Sequence, residues 1–316
     1  MKYSTLLLVI ACFLALLLVP FGVGNYSVRL ATTVFLYAAL ALSWNLIGGF
    51  AGYPSFATSA FFGLGAYVAG IAQHHGVPMA GAWMIGTMAC GIFSIGFGAA
   101  ILRLKGHYFA VASLIVAEVL REIINTSTSL TGGGMGLNIP VFTSNPDLFG
   151  RIFYSAMLAL MFASLLMTIW VSQSKTGFAL RCIQQNEDAA NVLGVNTTGY
   201  KILAFALSGC IAGTAGAIYG SWVSYIDPSD AFDILISVKP IIMTLLGGPG
   251  TILGPIVGAV VFLMFEELVW RNFMTIHKGL LGLIVVGLIL FLPTGVLQIR
   301  RSNSRAWSQM RAWIAK

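Results

Sequence analysis

The chain alternates long apolar stretches with short polar or glycine-rich breaks. Read at helical spacing, these stretches predict helices over residues 4–22, 30–47, 57–73, 79–102, 107–124, 152–173, 201–224, 234–246, 252–270 and 278–297. Most approach the about 20 residues that a membrane-spanning helix needs. Residues 234–246 are too few to cross about 30 Å of hydrocarbon, and 48–58 is broken by glycine and proline. A transmembrane barrel would show short alternating segments instead, so the unbroken runs argue against one. Two polar connections are long: residues 125–150, which contain glycine, and 174–199, which keep helical character. The pattern predicts an all-α integral membrane protein of about ten transmembrane helices, in one transmembrane domain over 1–316.

Composition narrows this further. Of 316 residues, 58% are hydrophobic and only 9% charged, against about 25% charged in an average soluble domain. A soluble enzyme, a disordered chain and a solvated nucleic-acid-binding face are excluded together. The 36 glycines and 10 prolines fit membrane helices, where both are frequent. The net charge of +7 is then assigned to basic loops facing anionic lipid.

The placement of that charge sets the orientation. With the N-terminus inside, eleven of the 17 basic residues fall inside and eight of the ten acids outside, leaving Glu187 and Asp188 as the inner acids. Both termini are predicted to be cytoplasmic. Residues 4–22 read as a retained helix rather than a cleaved signal, because Leu6–Val19 is long and no small-x-small site follows it cleanly. The tail over 298–316 carries Arg300, Arg301, Arg305, Arg311, Lys316, Trp307 and Trp313, and reads as an amphipathic segment on anionic lipid. The four cysteines have no metal or redox spacing and read as small buried hydrophobes.

Two segments echo each other. Asn45-Leu-Ile-Gly-Gly-Phe-Ala-Gly52 and Thr244-Leu-Leu-Gly-Gly-Pro-Gly250 each follow an apolar helix and precede a helix of small residues. This predicts two related halves with broken helices. Paired interruptions of this kind mark substrate paths, because freed backbone groups are tolerated only in a lined cavity or within protein. The alternative is tight packing of small residues. The path candidates are Trp44, Asn45, Gly48, Gly49, Ser55, Gly247, Gly248, Pro249 and Gly250. The Asn45 amide can either line a path or bond a broken backbone. Glu118, Arg121 and Glu122 share one helix face and read as an interfacial ion cluster near the outer end. Asp227, Asp230 and Asp233 form an outer acidic loop.

The inner loop is the most specific segment. Phe178, Ile183, Ala190, Leu193 and Gly194 suggest short helices outside the bilayer, the last ending at glycine. Asp188-Ala-Ala-x-x-x-Gly194 resembles the Glu-Ala-Ala-x-x-x-Gly coupling motif of ABC importer permeases, with Asp for the leading Glu. More broadly the chain resembles the branched-chain amino acid ABC transporter permease family, in its M-type subunit. The matching stretches are Leu42–Phe56, Ala60–Tyr67, Leu104–Ala110, Thr131–Leu137, the coupling loop and Leu245–Thr251.

The resemblance implies a bacterial inner-membrane importer. Its parts would be this chain, a second homologous permease, two ATP-binding subunits and a periplasmic substrate-binding protein, acting by alternating access. It implies Glu187, Asp188, Ala189, Ala190 and Gly194 as coupling residues: the alanines permit close approach, the glycine turns the chain, and the carboxylates pair with a basic ATPase surface. It implies Asp227, Asp230 and Asp233 as a contact for the binding protein, with a solvated loop as the alternative, and an ATPase contact as a second role for the tail. No cofactor is expected in this chain. It has no Gly-x-x-x-x-Gly-Lys-[Ser/Thr], so ATP and Mg belong to the partner subunits, and the chain is not itself an enzyme. Branched-chain amino acids are the favoured substrates, with urea, short amides and aromatic acids as alternatives. The runner-up class is a self-sufficient ion-coupled transporter or channel, which would need ionisable residues deep in the membrane.

Overall fold

The computed structural model describes residues 13–22, 24–143 and 145–272. It opens with helical residues 13–18 (α1) and continues through α2 (Asn25–Trp44), a π-helical turn Asn45–Gly49, α3 (Thr58–His74), α4 (Met79–Ile101) and α5 (His107–Thr126). A four-residue α6 (Thr128–Thr131) leads to α7 (Pro146–Gln173), α8 (Lys175–Gln185), α9 (Glu187–Val192) and α10 (Thr197–Val223). After a short α11 (Pro228–Ala231) come α12 (Leu235–Gly247) and α13 (Gly254–Asn272). Eight of the ten predicted helices therefore appear at their predicted places, with the widest end difference at Pro146 against 152. The predicted helix 278–297 and the tail 298–316 lie outside the described residues, as do residues 1–12.

Among the described residues, four helices are long and apolar enough to cross a membrane: Asn25–Gly49, Met79–Ile101, Pro146–Gln173 and Thr197–Val223. α10 is the hub, packed on α3 and α4, while α2 packs on α7 and α12 on α13. Gly209, Gly213, Gly216 and Gly220 recur at three- and four-residue spacing and let α3 and α4 approach one face of α10 closely. A Cβ on Gly216 would stand 1.9 Å from the Phe62 carbonyl oxygen, and one on Gly65 would stand 2.1 Å from that of Gly213. Small residues are what allow this approach where lipid supplies no hydrophobic drive between helices. Cys90 is buried beside Gly213, as a small hydrophobe would be, while Cys182 and Cys210 are partly buried.

The all-α reading holds apart from one small addition. Leu137–Asn138 pairs antiparallel with Tyr225–Ile226, pinning the 125–150 loop to the acidic loop after α10. A two-residue ladder is too short to leave an alternating pattern in a sequence. Arg121 and Glu118 form an exposed ion pair one turn apart on α5, in keeping with an interfacial cluster.

Candidate coupling site

The two double-glycine segments meet. At the end of α2 the ladder widens to π spacing over Asn45–Gly49, an irregularity frequent at functional sites. This carries the fully buried Asn45 side chain to the second segment. Its Nδ2 donates to the Thr251 carbonyl at 2.9 Å, and its Oδ1 accepts from the Gly250 N–H at 2.8 Å. Of the two roles open to Asn45, this is the bonding of a broken backbone. Trp44 folds back, its indole N–H donating to the Ser55 carbonyl at 2.8 Å, and the Ser55 hydroxyl accepts from Ala57 N–H at 3.2 Å. Gly250 sits at φ +71°, left-handed backbone that costs an L-residue about 1–2 kcal/mol. A Cβ on Gly49 would fall 1.9 Å from Asn45 Oδ1 and 2.7 Å from Gly250 N. Trp44, Asn45, Gly48, Gly49, Ser55, Gly247, Gly248, Pro249 and Gly250 thus gather at one packed crossing, and none of them lines the cavity of about 590 Å³ beside α2.

The inner loop rests on this crossing. From α8, Gln184 Nε2 donates to the Gly49 carbonyl at 3.1 Å, and Arg181 lies 5.5 Å from the Phe50 ring centroid. From α9, Glu187 turns inward and accepts from the Tyr53 hydroxyl and, at 2.6 Å, from Lys201 Nζ. Lys201, on the first turn of α10, is 2% exposed. Its other two donors reach Tyr53 Oη at 3.0 Å and the Leu102 carbonyl at 2.9 Å, so all three ammonium protons are matched. One buried ion pair therefore ties α9, the segment after the π turn, the end of α4 and the start of α10.

Burial would raise the Glu187 carboxyl, but the hydrogen bonds from Lys201 and Tyr53 and the nearby Lys201 and Lys105 charges outweigh it and hold it below the usual carboxylate range. Tyr53 is pushed the other way, by burial first and then by its bond to the Glu187 carboxylate, and stays a neutral donor.

The two inner carboxylates differ in what they touch. Glu187 is spent inside the chain, and Ala190 is buried at 2% exposure. Facing out are Asp188, Ala189, Val192, Leu193 and Gly194. Asp188 meets Lys105 at 2.7 Å, and both side chains are solvated, so salt screens this pair strongly. Val192 (88% exposed) and Leu193 (81%) leave a large apolar tip on α9, with Phe178 exposed on α8. Gly194 closes α9 with Gly194 N–H on the Asn191 carbonyl and Val195 N–H on that of Ala190, both at 3.0 Å. This is the paired C-terminal bonding that a left-handed glycine permits.

At the other end of the chain the three aspartates divide. Asp227 accepts from Ser229 N–H (2.6 Å) and Asp230 N–H (3.1 Å), and Asp233 from Leu235 N–H (2.8 Å). Asp227 caps α11, and Asp233 makes a local turn just before α12. Asp230 is exposed, and its carboxyl is raised by burial and by the charges of Asp227 and Asp233.

The family profile described as "Branched-chain amino acid transport system / permease component" matches residues 26–293. The chain belongs to that family. It is 28% identical to the high-affinity branched-chain amino acid transport system permease protein LivM of Salmonella typhimurium, over 89% of this chain and 72% of the relative. It is 25% identical to the LivH permease protein of the same organism, over 83% of this chain and 91% of the relative. Its fold is similar to a chain of a metal-chelate type ABC transporter in an inward-facing conformation, with TM-score 0.50 and 15% identity over 91% of this chain and 98% of that one. As a permease component the chain is a multi-pass membrane subunit rather than an enzyme.

Within this permease, three residues that seat the inner loop were not singled out by the sequence. Lys201 counted only as one more inner basic residue, although a lone lysine leading an apolar helix was a usable signal. Gln184 and Tyr53 lay inside matching stretches, yet no spacing rule connects them to Gly49 or Glu187. Lys239 and Glu266, read as near the outer helix ends, form a 2.7 Å pair, half-buried, with Lys239 over the Tyr37 ring. Tyr37 lies twelve residues along α2 from Asn25, about 18 Å.

Proposed function

We propose that this chain is one of two homologous permease subunits of a bacterial inner-membrane importer for branched-chain amino acids. Two ATP-binding subunits power it, and a periplasmic binding protein delivers the substrate. The chain carries about ten transmembrane helices with both termini cytoplasmic, and the partners bring ATP and Mg. The single observation that carries this reading is the seating of the coupling loop: Gln184 and Glu187 end on Gly49 and Tyr53, at and just after the break in the first half. The apolar tip of Val192 and Leu193 supports a groove in an ATPase as its partner, with Asp188, Ala189 and Gly194 at the contact. Glu187 and Ala190 then serve as the inner anchor that makes α9 move with the crossing. The crossing residues act as the gate, opened when the loop is displaced. Similarity to both LivM and LivH relatives supports a second permease that is homologous to this chain.

The test is reconstitution of the four membrane and ATPase subunits in proteoliposomes with the binding protein inside or out. Leucine uptake should require ATP and active ATPases. Uptake that persists with both ATPases inactivated, or uptake by this chain alone under an ion gradient, would overturn the importer reading.

A further inference from the structure

The helices α12 and α13 form a V whose two levels are joined by different means. At the inner apex the joint is backbone on backbone. A Cβ on Gly247 would stand 1.8 Å from the Gly254 carbonyl oxygen, and one on Gly258 would stand 1.8 Å from that of Met243. Farther out, the ion pair that ties the arms among the described residues is Lys239 Nζ to Glu266 Oε1, at 2.7 Å. Lys239 lies eight residues along α12 from Gly247, about 12 Å, and Glu266 twelve residues along α13 from Gly254, about 18 Å. The apex is therefore fixed by shape, and the arms are held together by charge.

The pair is only half satisfied. Glu266 Oε2 is buried and has no hydrogen-bond partner among the described residues. Lys239 rests its ammonium 5.4 Å from the centroid of the Tyr37 ring. Desolvation offsets most of the attraction in such a pair, and well-packed apolar residues would hold the arms as firmly. What the pair supplies instead is a contact that can part, because its side chains keep 22% and 23% exposure and water can take over each charge. It also sits where α12 can bend. Pro240 has no N–H, so the helical bond to the Ile236 carbonyl is missing. Outward of the bend, Ser237 is fixed to the start of α3: its Oγ donates to the Phe56 carbonyl at 2.7 Å and accepts from Ser59 N–H at 2.8 Å. Inward of it, Thr244 Oγ1 donates to the Ala41 carbonyl of α2 at 3.1 Å.

Lys239 and Tyr37 both line the cavity of about 590 Å³ that also touches Arg29 and Asp230. Tyr37 lies eight residues inward of Arg29, about 12 Å. One turn farther on the same face of α2, Ala41 is fully buried, as is Thr244 across from it. A packed layer thus separates the cavity from the double-glycine crossing, and the ion pair stands at its outer edge. We propose that Lys239 and Glu266 form a latch on this layer. Closed, it holds the outer half of α12 against α13 and seals the cavity from the crossing. Parted, it lets α12 swing at Pro240 and joins the two. The latch deepens the importer reading and rests on it for what drives the swing and what passes.

The test uses the complete transporter in right-side-out membrane vesicles, with the four native cysteines changed to alanine. Ala41→Cys places a thiol in the sealed layer, and a membrane-impermeant thiol reagent is added outside. Without turnover the parent should label slowly. Lys239→Met and Glu266→Gln should each speed labelling by about tenfold, as the closed state gives way to the open one. The exchange of Lys239→Glu with Glu266→Lys, which restores the pair, should slow it again. A second measurement leaves the latch intact. Spin labels at Leu235→Cys and Leu268→Cys, both at exposed positions, report the spacing of the arms by electron–electron resonance. Two spacings should be populated during turnover with ATP and the binding protein. Labelling within about twofold of the parent in both single variants, an exchange that labels as fast as the singles, or one unchanged spacing through turnover overturns the latch. Leucine uptake is read separately in the same vesicles. Uptake with none of these changes removes the latch and leaves the importer. The changes without ATP-dependent uptake keep the latch and remove the importer.

Discussion

The double glycine after α2 and the one after α12 meet at a single crossing but are held there by different means. On the α2 side the chain stays helical through Asn45–Gly49, and long side chains fix it: Asn45 reaches across, Trp44 folds back to Ser55, and Gln184 arrives from the loop. On the α12 side the backbone leaves the helix, with Gly248 at φ +115° and Gly250 at +71°, and Thr251 Oγ1 bonds locally to the Gly248 carbonyl and Gly254 N–H. The first segment is thus bonded to the inner loop, and the second is held to the α2 side by the Asn45 amide and by Thr244 Oγ1 donating to the Ala41 carbonyl at 3.1 Å. Under the proposed coupling, a displacement of α8 and α9 would enter at Gly49 and Tyr53 and pass to Gly250 through Asn45.

Substitutions that break this contrast should rank by what each one removes. Gly247→Ala should be the most severe, because its Cβ would lie 1.8 Å from the Gly254 carbonyl oxygen and backbone cannot step aside. We expect a loss above about 4 kcal/mol, seen as absence of folded protein in a size-exclusion profile. Lys201→Met comes next. It strands the Glu187 carboxylate and should cost about 3 kcal/mol in the melting of detergent-solubilised protein. Asn45→Ala removes the partner of the Gly250 N–H and Thr251 carbonyl at a partly buried site, for about 1–2 kcal/mol. It should also unlink the two segments, so that cross-linking between positions 48 and 250 drops in turnover while the loop contacts persist. Asp188→Asn should change stability least, and its effect should vanish in high salt, because its pair with Lys105 is solvated.

The inner anchor also has a pH signature. The Glu187 carboxyl is lower in the folded protein than in the unfolded chain, so its contribution is fully present above the unfolded value and is lost as pH falls through the folded one. The melting difference between wild type and Glu187→Gln should hold at neutral pH and disappear once the pH drops below the usual carboxylate range. A difference that persists in acid would mean that the side chain stabilises by shape alone.

Helices were legible because apolar runs of this length leave little choice of solvent or period, and α2, α4, α7 and α10 all lie where the pattern put them. The paired breaks were legible as well, since glycine and proline punctuate apolar sequence. What joined them was not. Asn45 meets Thr251 across 206 positions, and Lys201 meets Leu102 across 99. Such pairs follow from packing, which no local periodicity encodes. The coupling motif hid a division of labour for the same reason. Glu187, Asp188, Ala189 and Ala190 are consecutive, yet helical rotation buries Glu187 and Ala190 and exposes the two between them. The outer loop taught the converse. Three aspartates that looked like one acidic patch are a helix cap (Asp227), a turn acceptor (Asp233) and the exposed Asp230.

The account turns on the buried pair that couples α9 to the crossing, and a double-mutant cycle on Glu187 and Lys201 tests it most directly. Leucine transported per ATP hydrolysed would be measured in the reconstituted transporter for Glu187→Gln, Lys201→Met and the combination. The account predicts that each single variant keeps hydrolysing ATP while moving less leucine, and that the double variant is no worse than the poorer single, because both remove one shared interaction. Losses that simply add, or transport per ATP left unchanged in both singles, would contradict it.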